Sequence, residues 1–322
     1  MERLKKFKLK NFKRVVSCLI LIFFAVAIFI RPNRYITACF NGICLWAECV
    51  LPSLFPFMVI CALLSSLGAI NFASRPLFKL SKKLKLPKLA LPLFFMSAIA
   101  GYPAGSRLVA SYYKDGYITR SEAKKLAPLC SACGPLFALG TIGVKAFGGG
   151  YYGVKLLSAS LISILSTSLI YCLFAKSQKS EELPIIKSDR GNLLENAFYG
   201  GVTACLTAGA FICFFYTLSQ IISDFNIFMP IEFILSAVIG NCAKGLCQGL
   251  CEATGGCFAV ATSGGFFALP CAGFLCVFGG ASILLQQLCY LTECGVKPSF
   301  FIAFKFVQGV VAFGILCLFS LF

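Results

Sequence analysis

The chain has 322 residues, of which 59% are hydrophobic, and its mean hydropathy is +0.87. This composition excludes a soluble globular protein, and the absence of strand-type alternation disfavours a membrane β-barrel. The net charge of +17 does not indicate nucleic-acid binding, because the aromatic residues lie in apolar runs and not among the charges. We therefore predict an all-α polytopic membrane protein.

Most basic residues border the apolar runs, in four short segments at residues 1–14, 71–88, 113–127 and 176–190. Cytoplasmic loops of membrane proteins carry such an excess of lysine and arginine. We therefore place these segments, and with them the N-terminus, in the cytoplasm. No small-residue cleavage site follows the first apolar run, Val15–Ile30, so we interpret it as a retained helix and not as a signal peptide.

The next apolar runs predict one return crossing and then an interruption. Residues 38–50 are expected at the outer surface, and Leu54–Ile70 is expected to return to the cytoplasm. A single run, residues 89–113, then lies between two basic segments, and Gly101-Tyr-Pro-Ala-Gly105-Ser-Arg107 interrupts it. Lipid does not hydrogen-bond exposed backbone, so such a break persists only inside protein or beside water. We predict a re-entrant hairpin that enters and leaves on the cytoplasmic side.

The segment after this hairpin carries a helix start signal. Thr119-Arg-Ser-Glu122 has the pattern of a capping box and predicts the start of a cytoplasmic helix. Runs 128–148 and 150–175 are predicted to cross outward and back, and Phe300–Phe322 is predicted to be the last span. Few charges orient the second half, so the number of crossings between residues 192 and 299 stays open.

The two halves are similar at an offset of about 150 residues. Breaks at Gly101–Gly105 and Cys133-Gly134-Pro135 are matched, in the same order, by Gly249–Gly256 and Gly279-Gly280. The basic segments orient equivalent runs of the two halves in opposite directions across the membrane, which predicts an inverted repeat. The alternative is that common Leu, Phe and Gly make any polytopic protein look self-similar. Four parts are predicted. Residues 1–37 form a basic N-terminus with the first transmembrane helix, and residues 38–175 form the first repeat. Residues 176–191 form a cytoplasmic linker, and residues 192–322 form the second repeat with the last helix.

The chain has 19 cysteines and no histidine. Without histidine, Ser-His-Asp, Cys-His and His-metal chemistry are all excluded, and no acids are paired at a useful spacing, so we predict that the protein is not an enzyme. The cysteines lie in apolar stretches, where a free thiol behaves as a small hydrophobe. Cys130-Ser-Ala-Cys133 and a loose group between residues 242 and 257 leave a metal site as an alternative. We expect no metal and no cofactor, apart from a coupling ion of unknown identity.

Five motifs are specific as an ordered set: Leu51-Pro-Ser-Leu-Phe-Pro-Phe57, Gly101-Tyr-Pro-Ala-Gly105, Cys133-Gly-Pro-Leu-Phe137, Glu252-Ala-Thr-Gly255, and Phe278-Gly-Gly-Ala-Ser282 followed by Gln286. Over roughly residues 38–315 the chain resembles the nucleoside-recognition or gate domain proteins, and more narrowly the YlbJ-like sporulation integral membrane proteins of endospore-forming bacteria. The resemblance implies a fold related to concentrative nucleoside transporters. It also implies a role in the mother cell, in the outer forespore membrane, moving dipicolinate toward the spore. The sequence departs where the family commonly has a His before the Gln of the last motif, because Leu285 stands there.

The breaks suggest an anion site. A half-helix that starts near Ala104 directs N–H groups and a positive dipole end at the membrane midplane, and Pro135 suits the first turn of a second half-helix. Two such ends would hold a dicarboxylate, with charge from Arg107 and Lys305. The candidate substrate-binding residues are Gly101, Tyr102, Pro103, Gly105, Ser106, Arg107, Ser131, Cys133, Gly134, Pro135, Glu252, Gly255, Gly279, Gly280, Ser282, Gln286 and Lys305.

Several candidates have a structural alternative. Arg107 would simply extend to the cytoplasmic surface, Gly279-Gly280 would serve close helix packing, and Tyr102 would be an interface aromatic. Lys305 lies within its span, where ionisable residues are functional candidates by default. Glu252 either pairs with Lys305 or with Lys244, or it binds a coupling ion.

The expected function is a secondary transporter of a small heterocyclic dicarboxylate, dipicolinate by resemblance, that works by alternating access. No Walker motif is present, so this chain does not hydrolyse ATP. The expected partners are a small anionic substrate and the lipid bilayer, with no nucleic acid, and the oligomeric state stays open. A nucleoside-type carrier and a non-transporting sporulation membrane scaffold remain as alternatives.

Overall fold

The computed structural model describes residues 2–66, 69–175 and 193–321, and these ranges are helical, without a strand. Their helices are α1 (Glu2–Ile30), α2 (Pro32–Leu45), a π-helix (Trp46–Val50), α3 (Leu51–Ser66), α4 (Ala69–Lys83), α5 (Ala90–Ala100), α6 (Ala104–Lys114), α7 (Arg120–Leu129), a second π-helix (Phe137–Ala146), α8 (Gly150–Phe174), α9 (Leu193–Asp224), α10 (Met229–Ile239), α11 (Cys242–Cys251), α12 (Ala253–Ser263), α13 (Ala268–Phe278), α14 (Gly280–Leu291) and α15 (Pro298–Phe319). The predicted linker at residues 176–191 lies outside the described residues.

The membrane class is confirmed by the length and apolarity of these helices. Among the described residues, five stretches are long and apolar enough to cross a membrane: Pro32–Leu64, Gly150–Phe174, Ala197–Asp224, Ala268–Leu291 and Pro298–Phe319. Large apolar side chains such as Phe174, Phe214 and Val307 point outward from three of these spans. Lipid accepts such side chains, so the chain is an all-α polytopic membrane protein.

Residues 38–50 do not form the predicted surface segment. They belong to one apolar stretch, Pro32–Leu64, in which α2 passes through the first π-helix into α3. Of the two residues that suggested a surface, Trp46 is packed, since its Nε1 donates to the carbonyl oxygen of Cys205 at 3.1 Å, whereas Glu48 is exposed. The boundary that we placed between residues 37 and 38 falls inside α2.

The predicted break at Gly101–Gly105 is confirmed as the tip of a hairpin. α5 ends at Ala100 and α6 begins at Ala104. Gly101 turns the chain with a φ of +75°, which glycine tolerates best. A Cβ at this position would lie 2.7 Å from the backbone nitrogen of Gly134, so the tip approaches the next break too closely for any side chain. Gly105 packs against Ser97, which holds the two arms together.

The next element is a broken helix. The predicted capping box of Thr119 and Glu122 is confirmed at the start of α7. α7 is packed into the protein and does not lie free at its surface, because Ala123 and Leu126 on it are fully buried. Residues 131–134 are not helical, and the helix resumes at Pro135, as predicted, before the second π-helix. α7 and this π-helix are therefore the two halves of one interrupted crossing, which α8 follows.

The second half contains the same elements in the same order. α9 is a long helix, α10 is short, and α11 and α12 form a hairpin about Glu252. α13 and α14 form a broken helix about Gly279, and α15 is long. The described residues between 192 and 299 thus hold two long crossings and one hairpin, which the sequence had left open.

The long helices of the two halves run antiparallel. Arg34 near the start of α2 pairs with Asp224 at the end of α9, while Gly201 near the start of α9 packs against Val59 of α3. Equivalent elements therefore have opposite directions, which is the arrangement of an inverted repeat.

The two ends of the helix bundle differ in the contacts that close them. At the end where α6 stops and α7 starts, which we call the basic end, Lys114 pairs with Glu293 at 2.7 Å and Arg120 donates to the Gly295 oxygen at 3.1 Å. The hydrogen bond to Glu293 raises the pKa of Lys114. At the opposite end, Lys155 donates to the carbonyl oxygen of Phe319 at 2.5 Å. These contacts join the first half to the second at each end.

Candidate functional site

A cavity lies where the two hairpins meet the two broken helices. The space open to the centre of a water-sized sphere is about 20 Å³, which is room for about one water molecule, so the cavity is nearly closed in this conformation. Its walls are formed by Val50, Leu54, Tyr102, Gly134, Phe137, Ala208, Ile212, Thr254, Ile283 and Gln286.

The lining follows the repeat. Each half contributes a hairpin tip, with Tyr102 from the first and Thr254 from the second. Each half also contributes its broken helix and the middle of its long helix, so that Ala208 and Ile212 lie about halfway along α9. The cavity is therefore lined by equivalent elements of both halves.

The cavity is mostly apolar and has a few polar groups. None of the ten lining residues is charged. The Tyr102 hydroxyl is buried and has no hydrogen-bond partner among the described residues. Gln286 donates to Ser282 Oγ at 3.3 Å. A buried hydroxyl without a partner is unusual in a folded protein, and it is available to a ligand.

The two hairpin tips differ at the start of their second arms. Within the described part of the chain, no side chain caps α6. α12, by contrast, begins at Glu252, whose Oε1 accepts from the Thr254 N–H at 3.0 Å and whose Oε2 accepts from the Gly255 N–H at 2.6 Å. A carboxylate at a helix N-terminus is stabilised by these N–H groups and by the helix dipole.

Of the two alternatives for Glu252, the structure does not show the pairing with a lysine. Glu252 is 1% exposed, and it forms an ion pair neither with Lys305 nor with Lys244, both of which the structure describes. Its two oxygens are already engaged by the start of α12. The proposed role as a coupling-ion ligand stays a prediction.

Lys305 lies behind the cavity and not in its wall. Its ammonium is fully buried and donates to the carbonyl oxygen of Ser131 at 2.7 Å. Gln308, one turn further along α15, donates to the Pro128 oxygen at 3.4 Å. Both acceptors belong to the C-terminal end of α7 and the non-helical residues that follow it.

Arg107 lies outside the cavity. Its side chain is exposed, and it donates to the carbonyl oxygen of Gly200 on α9 at 2.6 Å. The structure therefore does not bring this charge to the other candidates, and its position suits the alternative of a surface side chain that joins two helices.

Of the other candidates, most support the wall from behind. Ser106 donates to Gln287 at 3.0 Å and joins α6 to α14. A Cβ on Gly280 would collide with the Gly249 oxygen, which is the packing alternative considered for this glycine pair. Only Tyr102, Gly134 and Gln286 of the candidates line the cavity itself, whereas Gly101, Pro103, Gly105, Ser131, Cys133, Pro135, Gly255, Gly279 and Ser282 lie at or beside the same breaks.

Sequence reasoning missed most of the cavity wall. Thr254 lies inside the quoted motif Glu252-Ala-Thr-Gly255 and could have been found there. Leu54 likewise lies inside the quoted motif Leu51-Pro-Ser-Leu-Phe-Pro-Phe57, whereas Ala208 and Ile212 gave no signal, because an apolar residue in an apolar span looks the same whether it faces lipid or a ligand. Within the part of the chain that the structure describes, no three Cys, Asp or Glu side chains come close enough to hold a metal ion.

Comparison with known proteins gives one relative. The chain is 25% identical, over an alignment of 342 positions, to the sporulation integral membrane protein YlbJ of Bacillus subtilis (strain 168), which covers 94% of this chain and 82% of that protein. No family model matches the chain, and no solved structure matches it. The resemblance to the YlbJ-like sporulation membrane proteins is thereby confirmed.

Proposed function

We propose that this YlbJ-like sporulation membrane protein is a secondary transporter of a small heterocyclic dicarboxylate, with dipicolinate as the first substrate to test. The cavity between the two repeats is the observation that carries the proposal. Its wall comes from both hairpin tips and both broken helices, and a non-transporting scaffold has no use for such a site. Transporters use half-helices of this kind to bind a substrate at the membrane midplane.

The wall offers a place for each part of such a substrate. A planar ring would lie among the apolar side chains of Leu54, Phe137 and Ile283. Its carboxylates would accept hydrogen bonds from the Tyr102 hydroxyl and from N–H groups at the start of α6, which begins two residues later. A helix N-terminus without a cap favours an anion at this position.

Alternating access would require the two hairpins to open in turn. On the side of the basic end, α6 is held to α14 by the bond of Ser106 to Gln287, and to the turn after α14 by the ion pair of Lys114 with Glu293. Opening toward this end requires these contacts to separate. The excess of positive charge in the loops supports a cytoplasmic basic end, and by resemblance the membrane is the outer forespore membrane.

A nucleoside-type carrier is the second candidate. The observation that favours it is the absence of any charged residue among the ten that line the cavity. A neutral heterocycle needs no compensating cation there, whereas an anion held away from water needs strong hydrogen bonds to replace its hydration.

Uptake into liposomes tests these functions against each other. The purified full chain is reconstituted and given labelled dipicolinate, and we expect saturable uptake above that of empty liposomes. Gln286→Leu changes the cavity wall and should reduce uptake, whereas Gln248→Leu, on α11 outside the wall, should not.

The competing outcomes are distinct. Competition by uridine but not by unlabelled dipicolinate would favour the nucleoside carrier. No flux of either compound, with the protein shown to be folded, would leave the scaffold and exclude both transporters. Equal uptake by the two glutamine variants would mean that the substrate passes elsewhere.

A further inference from the structure

A second polar site lies where α7 ends inside the membrane. α7 stops at Leu129, and residues 131–134 are not helical. Carbonyl groups at the end of a helix lack intrahelical donors and carry the negative end of the helix dipole. In the interior of a membrane protein these groups need another donor, because no bulk water reaches them.

α15 supplies the donors. Lys305 Nζ lies 2.7 Å from the carbonyl oxygen of Ser131, and Gln308 Nε2 lies 3.4 Å from that of Pro128. Two further oxygens of these same side chains, Ser131 Oγ and Gln308 Oε1, are buried without a hydrogen-bond partner among the described residues. The end of α7 is therefore surrounded by several buried oxygens, two of which have no hydrogen-bond partner among the described residues.

Lys305 brings a cation to this site without an acid. Its side chain is 0% exposed, and no ion pair to it is formed within the described residues. An isolated buried ammonium is strongly disfavoured, so its compensation comes from the Ser131 carbonyl and from the dipole of α7. The buried acid Glu252 is bound to the start of α12 and does not contribute.

The site occurs in one half only. α8 is the repeat counterpart of α15, and its single lysine, Lys155, donates to the Phe319 oxygen at the end of the bundle opposite the basic end. At the second broken helix, Gly279 and Gly280 meet the hairpin through backbone packing instead.

We propose that the Lys305 ammonium is a resident cation that takes the place of a bound alkali-metal ion at the end of α7. Unwound carbonyls and half-helix C-termini are the groups with which transporters coordinate sodium. Here a covalently attached ammonium lies on such groups. The consequence for transport, which rests on the proposed function, is that uptake requires no sodium.

Thermal unfolding of the purified full chain in detergent tests the cation site. The wild type should have the same unfolding midpoint in sodium chloride and in choline chloride at equal ionic strength. Lys305→Ala removes the ammonium and leaves the oxygens, so its midpoint in choline should be lower and should rise saturably as sodium replaces choline. Lys244→Ala, which removes an exposed lysine, is the matched control and should show neither effect.

Two results would overturn the proposal. One is a saturable rise of the wild-type midpoint with sodium, and the other is a folded Lys305→Ala variant that responds equally to sodium and choline. If Lys305→Ala folds only in sodium, the purified variant is exchanged into choline. Loss of the fold on exchange supports the resident cation, and retention contradicts it.

None of these measurements uses a transported substrate. A failure of dipicolinate uptake therefore leaves the cation site untouched, and a failure of the sodium response leaves the transport proposal standing.

Discussion

The two hairpins share a backbone design but differ in chemistry at their tips. In the first, α6 begins without a side-chain cap from the described residues, and Tyr102 presents an unpartnered hydroxyl to the cavity. In the second, Glu252 already accepts two hydrogen bonds from the start of α12. The N–H groups of the first tip thus have no side-chain anion bound to them, whereas those of the second tip bind the Glu252 carboxylate of the protein itself.

The two broken helices show the same kind of difference. The break after α7 is stabilised by hydrogen-bond donors from α15, namely Lys305 and Gln308. The break between α13 and α14 is stabilised by close backbone packing at Gly280. The buried acid and the buried amine do not pair with each other, because each is bound at the end of a different half-helix.

The largest expected effect comes from making the second tip resemble the first. Glu252→Ala leaves two buried N–H groups without their charged acceptor, so the free energy of unfolding should fall by about 3 kcal/mol. Glu252→Asp keeps a capping carboxylate and should recover part of the loss. Thermal and denaturant unfolding measure both variants, with Glu48→Ala, at an exposed position, as control. Wild-type stability of Glu252→Ala would contradict the capping role.

A second variant tests the close approach in the first half. Gly101→Ala places a methyl group against Gly134 and strains a positive φ, so we expect a loss of about 2 kcal/mol. Gly116→Ala has a similar φ of +76°, but no described atom would lie within 4 Å of its Cβ, so it reports strain alone. Equal losses in the two variants would mean that the approach of tip and broken helix contributes nothing.

The hydroxyl at the first tip should affect binding but not folding. Tyr102→Phe should leave the unfolding midpoint unchanged, because the hydroxyl has no described partner to lose. The apparent affinity for dipicolinate should fall about tenfold, equivalent to about 1.4 kcal/mol, and uptake kinetics measure it. Tyr199→Phe, at an exposed position on α9, is the control. An unchanged affinity in Tyr102→Phe would place the substrate away from the first tip.

The smallest effect is expected at Arg107, which lies outside the compared tips. Arg107→Ala loses one bond to the Gly200 oxygen, so stability should change by no more than about 1 kcal/mol and substrate affinity should not change. Arg120→Ala loses a similar bond to Gly295 and serves as the control. A loss of dipicolinate affinity in Arg107→Ala alone would restore this arginine to the substrate site.

The elements with a local signal were predictable. Glycine and proline in an apolar run marked the break at Gly101, and basic segments on both sides made it a hairpin. Thr119 and Glu122 are spaced as a capping box requires, and the structure forms that box. The offset between the two halves indicated the order of the second hairpin and the second broken helix.

Contacts between distant parts of the chain were not predictable. Lys305 meets Ser131 across 174 residues, and nothing in either segment specifies that approach. A lysine partner was one alternative for Glu252, but the backbone of its own helix supplies hydrogen bonds to the carboxylate. Trp46 suggested a surface, yet its indole donates to Cys205 on a neighbouring span.

The opposite directions of the two repeats predict the geometry of a second conformation. In an inverted repeat, turning the molecule over exchanges the roles of its halves. If the protein works by the proposed alternating access, the arrangement of the first hairpin against α7 would be a template for the second hairpin against α13 in a state that faces the other side of the membrane, and the reverse would hold equally. Each half would then show the geometry that the other half adopts in the second state. Crosslinks designed from that geometry would trap the protein in the second state.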